Sequence, residues 1–248
     1  KPTAQEIKDV KGTVVFKDVD FSYVKGRKVL RHNTFEAKPG AKIGLVGPTG
    51  AGKSTIMNIL TRYYDIDSGA IEIDGFNIAD YSQESLRRSI GQVLQEAFLF
   101  SDTVMANLRY ARDGATDEEC IAAAKQANAH DFIMQLPNGY DTVLTERGAN
   151  LSQGQRQMIT IARAMVANPK MLVLDEATSN VDTRTEKLIQ EGLKKLMEGK
   201  TSFVVAHRLS TIQDSDQILV INKGEIVERG THEELLARRG FYFDLYMS

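Results

Sequence analysis

Apolar and polar positions alternate along Val14, Phe16, Val19, Phe21 and Tyr23, with one slip at Lys17-Asp18. A period of two predicts a strand, and the slip predicts a bulge. A second strand is expected from Leu30 to Ala37, ended by Pro39-Gly40, so that a small antiparallel sheet leads into the apolar run Ile43-Gly44-Leu45-Val46. Ile71 and Ile73 alternate between the turn residues Gly69 and Gly75 and predict a further strand at a sheet edge. Ile90 to Leu94 is a short apolar run, and from about residue 96 to 157 the pattern turns helical.

Two capping boxes punctuate the helical stretch. Thr116-x-x-Glu119 opens an alanine-rich helix, and Ser152-x-x-Gln155 precedes Met158, Ile161, Ala162, Met165 and Val166 at helical spacing, with Pro169 as the stop. Met171 to Leu174 is a continuous apolar run of the kind buried on both faces of a parallel sheet. A helix through Leu188, Leu193 and Met197 follows, then a strand from Ser202 to Ala206. Gln217 to Glu228 reads as a hairpin turning at Asn222-Lys223-Gly224. Thr231-x-x-Glu234 caps a last helix, and the Phe241-Tyr242-Phe243 tail is expected to pack on the body. Strand and helix in alternation predict an α/β fold with a mostly parallel sheet.

Chemistry concentrates at Gly47-Pro48-Thr49-Gly50-Ala51-Gly52-Lys53-Ser54-Thr55, set between an apolar strand and a helix-compatible run. That is the setting the G-x-x-x-x-G-K-[ST] phosphate loop requires. Its glycines let successive N–H groups point inward, and the new helix adds unsatisfied N–H groups and the positive end of its dipole. Lys53 supplies a charge for β- and γ-phosphates and Ser54 a hydroxyl for Mg²⁺. The motif predicts binding of a nucleoside triphosphate. Asp175 and Glu176 end the buried strand, where ligands gather in open α/β sheets. The first acid suits Mg²⁺, and the second can polarise a water for in-line attack. Ser152 leaves a second helix N-terminus facing outward, a further place for an anion.

Composition narrows the class. At 248 residues the chain can bury a full core, and a formal charge of −2 argues against a nucleic-acid surface. The single Cys120 excludes an internal disulfide and fits a reducing compartment. No apolar run reaches membrane-spanning length. Residues 1–12 are polar and without clear period, and read as a linker ahead of a domain over 13–248.

Together these residues resemble the nucleotide-binding domain of ATP-binding cassette (ABC) transporters over nearly the whole chain. Leu151-Ser152-Gln153-Gly154-Gln155 is similar to the family signature LSGGQ, with Gln153 in place of the first glycine. The resemblance implies a P-loop NTPase core with a small antiparallel β subdomain and an α-helical subdomain over about 96–157. It implies ATP and Mg²⁺ as ligands. Tyr23 would stack on adenine, Gln95 would meet Mg²⁺ and sense the transport subunit, and Ser152, Gly154 and Gln155 would face the γ-phosphate side of a nucleotide. Ser179 to Asp182 would cross a dimer interface and His207 would hold the γ-phosphate. Phe98-Leu99-Phe100-Ser101 through Asn107-Leu108, and Thr145-Glu146-Arg147-Gly148, resemble the exporter branch.

By the same resemblance, two such domains pair head-to-tail, as homodimer or heterodimer, each ATP lying between one copy's phosphate loop and the other's signature. Hydrolysis would power export through a transmembrane partner on the cytoplasmic face of a membrane. The linker would then lead from an upstream transmembrane domain, and membrane contact would run only through that partner. Two alternatives differ in sequence terms. A DNA-acting ATPase of the superfamily would carry a long coiled coil between phosphate loop and signature, and none is present. A regulatory cassette that binds ATP with little hydrolysis would lack an acid such as Glu176 or a histidine such as His207.

Overall fold

A computed structural model describes residue 6 and residues 9–48, 50–94, 98–175 and 181–248. Thr49, Gln95, Glu176, Ser179 and Asn180 lie outside the described residues. The chain forms two compact units, one built from residues 1–90, 170–176 and 199–248 and the other from 91–169 and 177–198.

The first unit holds two sheets. Strands β1 (Val14–Val24), β2 (Arg27–Ala37), β4 (Ser68–Ile73) and β5 (Phe76–Asn77) form one in the order β2-β1-β4-β5. All its pairings are antiparallel, as the alternating pattern predicts. The register slips between Phe16 and Val19, where the sequence breaks its period, and Asp18 takes a positive φ of 47° there. β4 pairs with β1 on one side and β5 on the other, so the strand expected at an edge lies inside the sheet. The second sheet carries, within this unit, β10 (Glu225–Gly230), β9 (Gln217–Asn222), β3 (Lys42–Val46), β8 (Thr201–Val205) and β7 (Met171–Asp175) in that order. β3 runs parallel to both β8 and β9, and β8 parallel to β7, while β9 and β10 form the antiparallel hairpin.

Between them lies one apolar core. Phe16 stacks on Phe35 at 4.4 Å, and Phe35 approaches Phe203 of the second sheet at 6.1 Å. Helix α1 (Lys53–Leu60) adds Ile56, Met57, Ile59 and Leu60 to the same core, and α2 (Gln83–Ser89) adds Leu86. The last strand, β6 (Ile90–Val93), starts on the final residue of the unit's first segment, with Ile90 buried in this core. Residues 11–13 are fastened to the unit: the N–H groups of Lys11, Gly12 and Thr13 all donate to the Asp74 carboxylate at 2.8–3.0 Å.

The second unit is helical: α3 (Val104–Arg109), α4 (Asp117–Gln126), α5 (His130–Gln135), α6 (Gln153–Ala167) and α7 (Thr183–Met197). Both expected capping boxes form, at Thr116/Glu119 and Ser152/Gln155. The left-handed C-cap Asn168, just before Pro169, ends α6. Asn107 is fully buried and holds a loop: its Oδ1 accepts from Phe100 N–H at 2.8 Å and its Nδ2 donates to the carbonyls of Phe100 and Thr103.

Back in the first unit, α8 (His232–Arg238) begins at the predicted Thr231 cap. The aromatic tail forms another helix, α9 (Phe241–Met247). Its Tyr242 is wholly buried, pairs with His232 Nδ1 at 2.7 Å, and burial pushes its phenol up to about 12.

Candidate functional site: a phosphate loop and a separate helix tip

The end of β3 hands over directly to the phosphate loop. Gly47 adopts φ +152°, and a Cβ there would stand 2.0 Å from the carbonyl oxygen of Ile221, so no other residue fits at this turn. Ala51 N–H bonds back to the Pro48 carbonyl at 3.1 Å, and Gly52, in the left-handed region at φ 113°, precedes the first turn of α1. That helix start has no side-chain cap and no acidic residue in its first turn. Its leading N–H groups and positive dipole end are therefore available to an anion. The start of α1 thus offers donors to an anion, with no acidic side chain in its own first turn.

Lys53 opens α1. Its Nζ donates to the Gly47 carbonyl at 2.6 Å, closing the loop on itself. Burial lowers the ammonium's pKa below the ordinary 10.5, with the Asp175 carboxylate acting in the opposite direction. Ser54 is exposed at the same helix tip, and Thr55 is buried. Asp175, at the end of β7, is held 3.2 Å from Nε2 of His207, which follows β8 and Ala206. Phosphate loop, acid and histidine thus all sit at the C-terminal ends of parallel strands β3, β7 and β8 of one sheet. Ligands gather at that end of an α/β sheet because the helix N-termini open there.

Tyr23 reaches this region from the end of β1. Its hydroxyl donates to Thr55 Oγ1 at 3.1 Å and accepts from Asn58 Nδ2 at 3.0 Å, while its ring packs edge-on to Phe21 and Tyr64. The residue remains 44% exposed, with its hydroxyl tied to α1. Asn58 escapes a sequence reading because nothing in the local pattern marks it. It stands one turn after Ser54, from where its amide reaches the tyrosine hydroxyl.

The signature segment belongs to the second unit. Ser152 Oγ accepts from Gln155 N–H at 3.2 Å, and Gln155 Oε1 accepts from Ser152 N–H at 3.0 Å. This box satisfies two donors and leaves the N–H groups of Gln153 and Gly154 with no intrahelical partner. Asp182 caps α7 in the same unit, and its carboxylate is held below the usual range by hydrogen bonds from the Thr185 hydroxyl and N–H. Ser152, Gln155, Asp182 and Thr185 line one open cavity of about 820 Å³.

The donors suit the expected ligands. Loop N–H groups, a lysine and an uncapped helix fit a triphosphate, and the Ser54 hydroxyl and Asp175 carboxylate are hard oxygen donors of the kind Mg²⁺ takes. Among the described residues no helix is long and apolar enough to cross a membrane.

Comparison with known proteins agrees with this geometry. The sequence profile of the ABC transporter family matches residues 30–179. The chain is 54% identical over 96% of its length to the uncharacterized ABC transporter ATP-binding protein YfiC of Bacillus subtilis, and covers 39% of that protein. It is 50% identical to a fatty acid ABC transporter ATP-binding/permease protein of Mycobacterium tuberculosis, over 97% of this chain and 38% of the relative. It is 49% identical to an ATP-dependent lipid A-core flippase of Syntrophus aciditrophicus, over 98% of this chain and 40% of the relative. Among solved structures, a bacterial Atm1-family ABC exporter with ATP bound superposes with a TM-score of 0.93 at 45% identity, covering 100% of this chain and 43% of that one. The chain spans about two fifths of the length of these relatives. It belongs to the ABC transporter family, of which it is an ATP-binding domain.

Proposed function

We propose that this domain hydrolyses ATP at a site shared with a second nucleotide-binding domain, identical or different, and so powers export through a transmembrane partner. The observation that carries the reading is the distribution of anion-accepting groups. The uncapped start of α1, with Lys53 and the Asp175–His207 pair, belongs to one unit, and the Ser152 helix tip to the other. A head-to-tail pair would lay one copy's Ser152, Gly154 and Gln155 over the nucleotide held by the other's Gly47 to Thr55. The triphosphate would then join two surfaces that each offer N–H groups to it.

In this reading Lys53 leaves the Gly47 carbonyl to meet the β- and γ-phosphates. Tyr23 stacks on adenine, and Glu176 orients the attacking water and draws its proton. His207, kept in place by Asp175, donates toward the γ-phosphate. Ser54, Asp175 and Gln95 would hold Mg²⁺, which supplies charge neutralisation on the phosphate oxygens. Loss of the γ-phosphate removes the groups that bridge the two copies, and the pair opens.

An aromatic groove in the second unit supports a membrane partner. Phe98, Phe100 and Tyr110 line a cavity of about 430 Å³, with Phe98 61% and Tyr110 70% exposed. Arg163 lies beneath, its guanidinium near the Phe100 ring and its Nη1 buried without a hydrogen-bond partner among the described residues. A partner helix bringing a carboxylate or its terminal carbonyls would satisfy that donor. This would place the domain on the cytoplasmic face of the membrane.

The test is phosphate release by the chain with ATP and Mg²⁺ across a range of protein concentrations. A specific rate that climbs with concentration supports the shared site. A rate independent of concentration, or none, overturns it.

A further inference from the structure

We infer that Thr185 is a positioning residue for the signature helix, acting through Gly154, and that this contact fixes the glycine in the signature's fourth position. The inference rests on the shared-site reading above. Helices α6 and α7 begin side by side, capped by Ser152 and Asp182. Gly154 is buried at the second residue of α6, and Thr185 is the third residue of α7. A Cβ at residue 154 would stand 2.6 Å from Cγ2 of Thr185 and 3.3 Å from Cγ1 of Val181. Carbon atoms pack at about 3.5–4.0 Å, so the first distance is a collision and the second is tight.

Thr185 cannot readily yield. Its N–H donates to Asp182 Oδ2 at 3.2 Å, and its hydroxyl also bonds that carboxylate. Turning its stiff, β-branched χ1 to swing the methyl away would break the hydroxyl's bond. A side chain at 154 must instead push the tip of α6 off α7. That displaces the N–H groups of Gln153 and Gly154, which the shared site requires in place. The neighbouring departure from the family signature fits the same picture. Gln153, on the next position of the helix, carries a half-buried side chain where the signature has glycine. The two signature glycines are thus unequal in this chain: packing demands the one at 154 and not the one replaced by Gln153.

Substitutions that separate the threonine's methyl from its hydroxyl test this. Gly154→Ala should lower the concentration-dependent phosphate release by about tenfold or more. Adding Thr185→Ser removes only the colliding methyl and should bring the rate back to within about threefold of Thr185→Ser alone. Adding Thr185→Val leaves two methyls on a β-branched carbon whose χ1 the helix restricts, and should restore nothing. Where Gly154→Ala lowers the yield of folded chain, the same pair of second substitutions is read by melting temperature, with serine restoring it and valine not. Failure of serine to restore, equal restoration by valine, or no cost from Gly154→Ala overturns the inference. The rate of the unsubstituted chain reports separately on the shared-site reading, since only its dependence on concentration bears on that.

Discussion

The N–H of Gly224 donates to the carbonyl of Ala51 at 2.9 Å, so the turn of the β9–β10 hairpin buttresses the phosphate loop. Gly224 in turn offers its carbonyl to Arg31 N–H at 2.9 Å and to Asn33 Nδ2 at 2.9 Å, which anchors the turn on β2. Gly224 has φ +81°, and a Cβ on it would stand 2.0 Å from the Val29 carbonyl oxygen. Gly224→Ala should therefore lift the hairpin from β2 and loosen the loop. We expect a loss of about 1–3 kcal/mol in stability, read by chemical denaturation, with weaker nucleotide binding. Unaltered nucleotide affinity in the variant would show that the loop holds its shape without this support.

If Lys53 meets the phosphates as proposed, it gives nucleotide binding an alkaline pH dependence. Burial depresses its pKa in the free chain, and a bound triphosphate favours the charged ammonium, so the bound form has the higher pKa. Affinity is then flat below the free-chain pKa and declines as pH rises from it toward the higher pKa of the bound form. Lys53→Ala should weaken binding by at least about tenfold near neutral pH and abolish the alkaline decline. Calorimetric titration across pH checks both, and an alkaline decline that persists in the variant would assign it to another group.

Glu176→Gln removes the proposed base and keeps the residue's shape. ATP binding should persist, phosphate release should fall by about 100-fold or more, and the paired form should accumulate. Size-exclusion chromatography in ATP is the measurement. A variant that stays monomeric at saturating ATP would count heavily against hydrolysis as the step that opens the pair.

Away from the site, the β1–β2 hairpin carries a titrating cluster. Asp20, nearly buried, is held below its ordinary pKa by the Lys28 ammonium at 2.6 Å and the His32 N–H. The Asp18 carboxylate, 2.7 Å from His32 Nδ1, raises the imidazole above its usual 6.5, with Asp20 adding to it. A raised folded pKa gives stability that is complete below the unfolded pKa and lost as pH climbs through the folded one. His32→Asn, which tolerates the positive φ of 49° found there, should cost melting temperature at about pH 5.5 and progressively less toward about pH 9. A cost that does not change with pH would leave the imidazole's charge without a role in stability.

Much of the architecture was legible in the chain because local periodicity and turn chemistry report on burial directly. The slip at Lys17-Asp18, the boxes at Thr116 and Ser152, and the turn at Asn222-Lys223-Gly224 each appear where the residues place them. Helix α2 escaped because a charged seven-residue stretch with only Leu86 and Ser85 buried gives no lasting period. β4 was expected at an edge, yet β5 pairs outside it, since two residues at Phe76-Asn77 are too short to announce a strand. Arg163 gave one signal, a lone charge on the apolar run of α6, whose meaning depended on the aromatic rings beside it.

The sequence by itself determined that a glycine loop, a lysine and a helix start would stand together, since a motif nine residues long builds its own phosphate cradle from contiguous backbone. It also determined that Ser152 would cap a helix, because a capping box is closed within four residues. Only the tertiary structure decided that Asp175 and His207, 32 residues apart, would lie 3.2 Å from each other. The same holds for the Gly224 turn under the loop at Ala51, and for the Thr185 methyl against Gly154. Those relationships join segments distant in sequence, and the distances between them are set by how strands and helices pack, which no local pattern of residues encodes.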